Sequence, residues 1–175
     1  MRHYDLQAKI YDVQYGGEQN AKIEDILTKI RIEPDEIVLD LGCGTGFLFR
    51  HLDKKVRLLA GIDVSQKALL VAKNHIKNMP KIVLVCADAD NIPFPKHTFD
   101  KVFAITLLQN MPDPTRTLSE MKRVAKPRAT FAVTGLKKKF KQESFIDLLE
   151  RAELKVVTLN MNEQLKGYVA VCTNR

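Results

Sequence analysis

Cysteine is scarce in this sequence: Cys43, Cys86 and Cys172 are odd in number and far apart. They form neither a disulfide framework nor a paired zinc motif, so no metal ligand set is read, and a reducing interior such as the cytoplasm is expected. Long hydrophobic runs are also missing. No stretch reaches the roughly 18 apolar residues that a membrane span needs, and the opening MRHYDLQAKIYD lacks the apolar core of a signal peptide. These absences set aside a membrane protein and a secreted disulfide scaffold. Internal repeats, low-complexity tracts and Pro/Gly/Ser linkers are lacking too, so one domain over residues 1–175 is expected.

What is present is ordinary for a globular protein: 45% hydrophobic and 28% charged residues. The net charge of +7 is unevenly placed. Between Arg116 and Lys141 nine basic residues face a single acid, Glu120, an excess that accounts for the whole surplus. Such a window suits a polyanionic partner or, equally, a solvated lysine-rich surface.

The chain alternates helix and strand signals. Ile23, Ile26, Leu27 and Ile30 lie at i, i+3, i+4 and i+7, one buried face of a helix over 18–31. EIVLDL follows as a strand, and Phe47 to Leu52 as a short helix. RLLAGIDV is a second strand, after which Ser65 caps a helix through Ile76. KIVLVCAD and FDKVFAITLL read as the third and fourth strands. Asp113-Pro114 opens a helix, with an N-cap followed by proline at the first helical position. RATFAVTG is a fifth strand, and Phe145, Leu148, Leu149 and Ala152 mark another amphipathic helix. The closing LKVVTLN and YVAVCT are too close for a helical crossover and should pair antiparallel. The alternation implies an α/β fold with a largely parallel sheet, helices on both faces, and ligands beyond the carboxyl ends of the strands.

IVLDLGCGTGFLF, residues 37–49, places Gly42, Gly44 and Gly46 at alternate positions directly after the first strand. A dinucleotide turn would read G-x-G-x-x-G, but Phe47 stands where its third glycine belongs. Asp40 would repel a pyrophosphate and attract a cationic ammonium. Asp63 ends the second strand and is placed to accept both hydroxyls of a ribose. Asp88 ends the third and can accept from an adenine amino group, with Ala89 supplying an N–H. Together they describe a nucleoside with a cationic amino-acid tail. Each acid alone is weak, because aspartate commonly caps helices; three acids ending three successive strands carry more.

VLDLGCGTG, GIDVS, CADADNIPFPKHTFD and DPTRTLSEMKRVAKP, in this order, resemble the class I S-adenosylmethionine-dependent methyltransferases, in their broad type 11-like group. The resemblance covers about residues 20–135. It implies a Rossmann-like seven-stranded sheet of order 3-2-1-4-5-7-6 with strand 7 antiparallel, S-adenosylmethionine as methyl donor and S-adenosylhomocysteine as product. By position it implies that Asp40, Gly42, Cys43 and Gly44 line the methionine end and that Asp63 holds the ribose. Val64 would flank the adenine, Asp88 and Ala89 would meet its edge, and Thr106 and Leu107 would lie beside the methyl group. Pro127-Arg128-Ala129 departs from the Pro-Gly-Gly usual in the group, at the end of the sheet away from the cofactor.

The acceptor is less legible. ITLLQNMPDP lacks the (Asn/Asp)-Pro-Pro-aromatic clamp of enzymes that methylate planar nitrogens, and no Pro-Cys pair supports attack on a pyrimidine carbon. Gln109 and Asn110 either orient a polar acceptor or cap the following helix. Tyr4, Tyr11 and Tyr15 share one helical face ahead of Gly16-Gly17, as a lid over the cofactor or as plain packing. His3, His51, His75 and His97 are scattered and read as surface residues. Lys137, Lys138, Lys139 and Lys141 follow the fifth strand on the active-site side, where they suit an acidic substrate or a solvated loop. The third strand, Ile82-Val83-Leu84-Val85, would be an apolar sheet edge. In some similar enzymes acting on transfer RNA or translation factors, that edge docks a small zinc-ribbon activator. The expectation is a methyltransferase acting on RNA or a translation-related protein, ahead of a small metabolite; a cofactor-binding scaffold subunit is the alternative. Methyl transfer needs alignment more than a general base, so the absence of a catalytic dyad does not oppose it. If Asp63 holds the ribose, Asp63→Ala weakens S-adenosylmethionine binding by about 1.5–3 kcal/mol, measured by calorimetry.

Overall fold

The computed structural model describes residues 16–174. A helix, α1, occupies 16–27 of these. Strands β1 (Ile37–Leu41), β2 (Leu58–Asp63), β3 (Ile82–Cys86), β4 (Phe99–Ala104), β5 (Ala125–Leu136), β6 (Leu154–Asn160) and β7 (Gly167–Asn174) form one sheet of order β3-β2-β1-β4-β5-β7-β6. The first five strands pair parallel, and β7 runs antiparallel between β5 and β6. This is the expected Rossmann-like order, including the antiparallel closing pair. Helices α2 (Phe49–Leu52), α3 (Gln66–His75), α4 (Pro114–Val124) and α5 (Gln142–Arg151) complete the layers, with a single 3₁₀ turn at Leu108–Asn110.

Central strands read as unbroken apolar runs because both faces are covered. Successive residues serve opposite cores. Leu39, Val102, Phe131 and Val133 join Leu118, Met121, Phe145 and Leu149 of α4 and α5. Val38, Phe103 and Ala132 join Ile23 and Ile26 of α1, Leu52 of α2, and Leu69 and Ala72 of α3. The caps work as their residue types suggest. Ser65 accepts the Ala68 N–H at 3.2 Å, and Asp113 accepts the Thr115 N–H at 3.0 Å ahead of Pro114.

Several boundaries differ from the sequence reading; the first helix, expected over 18–31, runs from 16 to 27, so Gly16 and Gly17 lie within it. The helix expected from Phe47 begins only at Phe49, because residues 42–48 stay in turns around the glycines. Strand β4 ends at Ala104, since Thr106 adopts a left-handed φ of 61° that no strand can contain. Strand β5 begins at Ala125, with its register against β4 slipping between Phe99/Ala125 and Lys101/Thr130. The slip absorbs Pro127, which has no N–H to offer a ladder. The basic window divides as well: Arg123 pairs with Glu120, Lys122 with Glu153 and Lys126 with Asp100, at the end of the sheet remote from the glycine turn. His51 and His75 are half-buried rather than fully exposed, because Asn20 and the Thr45 carbonyl hold their rings.

Strand order reverses between β1 and β4, and their crossovers leave on opposite faces, so a crevice opens beyond their carboxyl ends. None of the described helices is long and apolar enough to cross a membrane. The turn at the crevice admits little change. A Cβ on Gly46, at φ 89°, would stand 2.4 Å from the buried Phe49 ring. Gly46→Ala is therefore expected to destabilise the fold by about 1–3 kcal/mol in urea unfolding.

Candidate active site

The turn after β1 is stitched to β2. The N–H groups of Gly42 and Cys43 both donate to the Ile62 carbonyl, at 2.8 and 2.9 Å. At φ 73°, Gly42 packs so closely on Leu107 that a Cβ would stand 2.8 Å from its side chain. Gly44 differs: at φ 53°, a Cβ there would meet no protein atom within 4 Å. Its N–H donates to Asp63 Oδ2 at 2.8 Å, while the Ser65 N–H donates to Oδ1 at 2.8 Å. These two backbone donors orient the carboxylate.

These groups line a cleft of about 490 Å³. Asp40, Gly42, Cys43, Gly44, Asp63 and Val64 contribute from the β1 and β2 ends, and Thr106, Leu107, Gln109 and Asn110 from the β4 end. Cys43 contributes through its backbone; its thiol is buried beneath β2, 3.0 Å from where a Gly61 Cβ would lie. Asp88 and Ala89 are not among the lining residues. Asp88 is exposed past the end of β3, where Oδ1 accepts the Asp90 N–H at 2.9 Å, and Ala89 is buried in the core. Lys137, Lys138, Lys139 and Lys141 lie just beyond β5 and do not line the cleft either, although Leu136 does. Lys137 Nζ reaches the Asn162 carbonyl at 2.7 Å, because the β6–β7 loop returns over the end of β5. Tyr4, Tyr11 and Tyr15 fall outside the described residues.

Thr106 organises the β4 end of the cleft. Its N–H donates to Thr134 Oγ1 at 2.7 Å, and its carbonyl accepts from Gln109 Nε2 at 2.7 Å and Asn110 Nδ2 at 3.1 Å. Its hydroxyl donates to Gln19 Oε1 at 2.9 Å and accepts from Lys22 Nζ at 3.1 Å. Sequence reasoning missed Gln19 and Lys22, both on α1 and both lining the cleft. One signal was available. Lys22 lies four residues before Ile26, on the stripe that α1 buries, and a lysine there is out of place unless it has a task.

Charge is the distinctive property. Asp40 is 4% exposed, and no described residue hydrogen-bonds or ion-pairs with its carboxyl, which borders the cleft. Burial, reinforced by the nearby Asp63 charge, pushes its pKa up to about 8. Burial also drives the Cys43 thiol well above its ordinary range, with Asp40 and Asp63 adding to the effect, so it is not a nucleophile. A buried acid without a partner, beside a glycine with open space before it, fits a cationic ligand. No described group of His, Cys, Asp and Glu could hold a metal ion.

Below pH 8 the Asp40 carboxyl is mostly protonated, and a cation must displace that proton to gain the full charge. Affinity for S-adenosylmethionine should therefore rise by up to about tenfold per unit between pH 5.5 and 7.5. Calorimetry in buffers of different ionisation enthalpy should show proton release, and Asp40→Asn should remove that share of the slope.

Comparison with known proteins gives the same account. Residues 39–133 match the family model described as a methyltransferase domain. The malonyl-[acyl-carrier protein] O-methyltransferase of Marinomonas sp. is 30% identical over 130 residues, covering 72% of this chain and 47% of that protein. The demethylmenaquinone methyltransferase of Lactobacillus johnsonii is 34% identical over 131 residues, covering 71% and 52%. The chain spans about half the length of the curated relatives it matches. In fold it is similar to a SAM-dependent methyltransferase from Aquifex aeolicus (TM-score 0.84, 22% identity, 98% of each chain). It is also similar to the methyltransferase in a complex with the Haloferax volcanii Trm112 activator (TM-score 0.85, 17% identity, 97% and 96%). With a family match over more than half its length, the chain belongs to the methyltransferase domain family, among the class I S-adenosylmethionine-dependent methyltransferases.

Proposed function

We propose that this protein transfers a methyl group from S-adenosylmethionine to a small organic acceptor. The observation that carries the reading is the buried Asp40 carboxyl, without a partner among the described residues, bordering the cleft next to the open side of Gly44. S-adenosylmethionine supplies an electrophilic methyl group on a cationic sulfur. The protein supplies the rest. Asp40 gives the cation its counter-charge, and Asp63, already oriented by two N–H groups, accepts from the ribose. Gly42, pressed against Leu107, brings backbone close to the methionine end. Asp88 and Ala89 are proposed to approach the adenine from the end of β3, outside the cleft's lining, and Val64 to flank its face.

On the acceptor side, Thr106 and its partners Gln19, Lys22, Gln109 and Asn110 form a rigid polar wall. Alignment against such a wall is worth roughly 7–11 kcal/mol in well-oriented reactions, enough for a displacement with a good leaving group. A cleft of about 490 Å³ must admit both reactants, which favours a small acceptor or one projecting end of a larger molecule. Relatives named for malonyl-[acyl-carrier protein], ubiquinone biosynthesis and demethylmenaquinone support a small organic acceptor.

RNA or a translation-related protein is the second reading. Lys138, Lys139 and Lys141 stand beside Leu136 at the active-site end of the sheet. An activator on the sheet edge belongs with it: β3 is the terminal strand, Val83 is 40% exposed there, and the Haloferax neighbour is in complex with a methyltransferase activator. Transfer of radiolabelled methyl to fractionated cell extract separates the readings. Label is expected in the small-molecule fraction. Label confined to RNA, lost steeply with added salt, would favour the second reading, and failure to bind S-adenosylmethionine at millimolar concentration would overturn the enzyme reading.

A further inference from the structure

Lys22 is the least expected group in the cleft. Its residue is 2% exposed, on a helix stripe otherwise given to Ile23 and Ile26. Holding an ammonium there is costly unless charge and hydrogen bonds compensate. Among the described residues the compensation is partial: Glu18 at 3.2 Å and Thr106 Oγ1 at 3.1 Å. An ammonium has three N–H donors, and these two partners leave one. Glu18 is itself shared, since its Oε1 also accepts the Lys166 N–H at 2.8 Å. Lys166 borders the same cleft and adds a second positive charge.

Burial is the main cause that lowers the Lys22 pKa; Glu18 pulls it back up and Lys166 lowers it further. Among the described residues this end of the cleft brings two lysines, Lys22 and Lys166, to one acid, Glu18. A second orphan lies close by in the chain of bonds. Gln109 Oε1 is buried without a partner, while its Nε2 is fixed to the Thr106 carbonyl. Two groups tied to the same threonine are thus incompletely satisfied, one with a hydrogen left to offer and one able to accept.

Resting on the methyltransferase reading above, we propose that Lys22 binds the acceptor through a negatively charged oxygen, so that the protein is an O-methyltransferase of small organic acids. The class is carboxylic, phenolic or enolic acids that carry a hydroxyl or N–H donor within reach of Gln109 Oε1. The acid enters as its anion, having left its proton in solution, so no general base is required. The new bond forms between that oxygen and the methyl carbon, the methyl–sulfur bond breaks, and its electron pair stays on sulfur. An anion and a sulfonium become a neutral ester or ether and a neutral thioether. Lys22 loses its counter-ion in that step, which favours product release. Among the described residues, Asp40 and Asp63 line the cofactor end of the cleft, whereas Lys22 and Lys166 stand with Glu18 at the acceptor end.

The test measures binding as well as turnover. The protein is saturated with S-adenosylhomocysteine and screened by ligand-observed NMR against benzoate, salicylate and 4-nitrophenolate, each paired with its neutral amide or methyl ether. At least one acid should bind ten-fold or more tightly than its neutral partner. Lys22→Met should abolish that preference while leaving S-adenosylhomocysteine affinity within about twofold, and Lys22→Arg should keep it. Should Lys22→Met fail to fold, Glu18→Gln/Lys22→Met removes the buried pair together and is read the same way. Equal binding of acids and neutral partners, or a preference that survives loss of Lys22, overturns the proposal. Failure of S-adenosylhomocysteine to bind the unaltered protein would instead overturn the methyltransferase reading on which it rests.

Discussion

The turn that follows β1 is the constraint on which the site depends. Three glycines in the left-handed region reverse the chain within a few residues, and the paired bonds from Gly42 and Cys43 to Ile62 tie the turn to the neighbouring strand. Only a residue without a Cβ can press against Leu107 at Gly42 or against Phe49 at Gly46. With the turn so fixed, the Asp40 carboxyl is left at the strand end without a partner among the described residues, and the Gly44 N–H orients Asp63. The β4 end of the cleft is held through the same contact, because Leu107 is both the wall behind Gly42 and the neighbour of Thr106.

Thr106 shows how local strain is sustained. A β-branched residue at φ 61° costs about 1–3 kcal/mol. Its N–H, carbonyl and hydroxyl all bond to partners on β5, the 3₁₀ turn and α1, so the surrounding structure over-determines the conformation. The result joins three elements distant in sequence at one point of the cleft. The wall can then hold polar groups in place before an acceptor arrives, which is where an alignment-driven reaction gains most.

The cleft is also divided electrostatically. At one end Asp40 is desolvated beside Asp63; at the other Lys22 is desolvated beside Lys166. Each end is poorly compensated alone, and each is improved by a ligand of opposite charge. Binding free energy thus replaces what folding gave up in burying the two groups. Such a division also orients the reactants, since a cation placed among the lysines or an anion among the acids would meet repulsion on both sides.

By itself the sequence determined the layers of the fold and one end of the site. Strand β1 is apolar on both faces because it is central, Ser65 and Asp113 cap because their oxygens reach the first turns, and the alternate glycines mark the crossing point from β1. These are short-range or periodic signals, and the chain carries them openly. Where the reading slipped, the cause was tertiary: Thr106 leaves the strand pattern of ITLL because partners on other elements hold it. Asp88 and Ala89 are close to β3 in sequence, yet only the path of the loop places them outside the cleft's lining. Lys22 and Gln19 stand more than 80 residues from Thr106, and nothing in their spacing announces a shared hydrogen-bond network. The sequence therefore marked the glycine turn and the aspartates that end β1 and β2, because these are short-range signals. The polar wall around Thr106 was decided by the tertiary structure, because it is assembled from the ends of α1, β4 and β5 only when the sheet and helices close on one another.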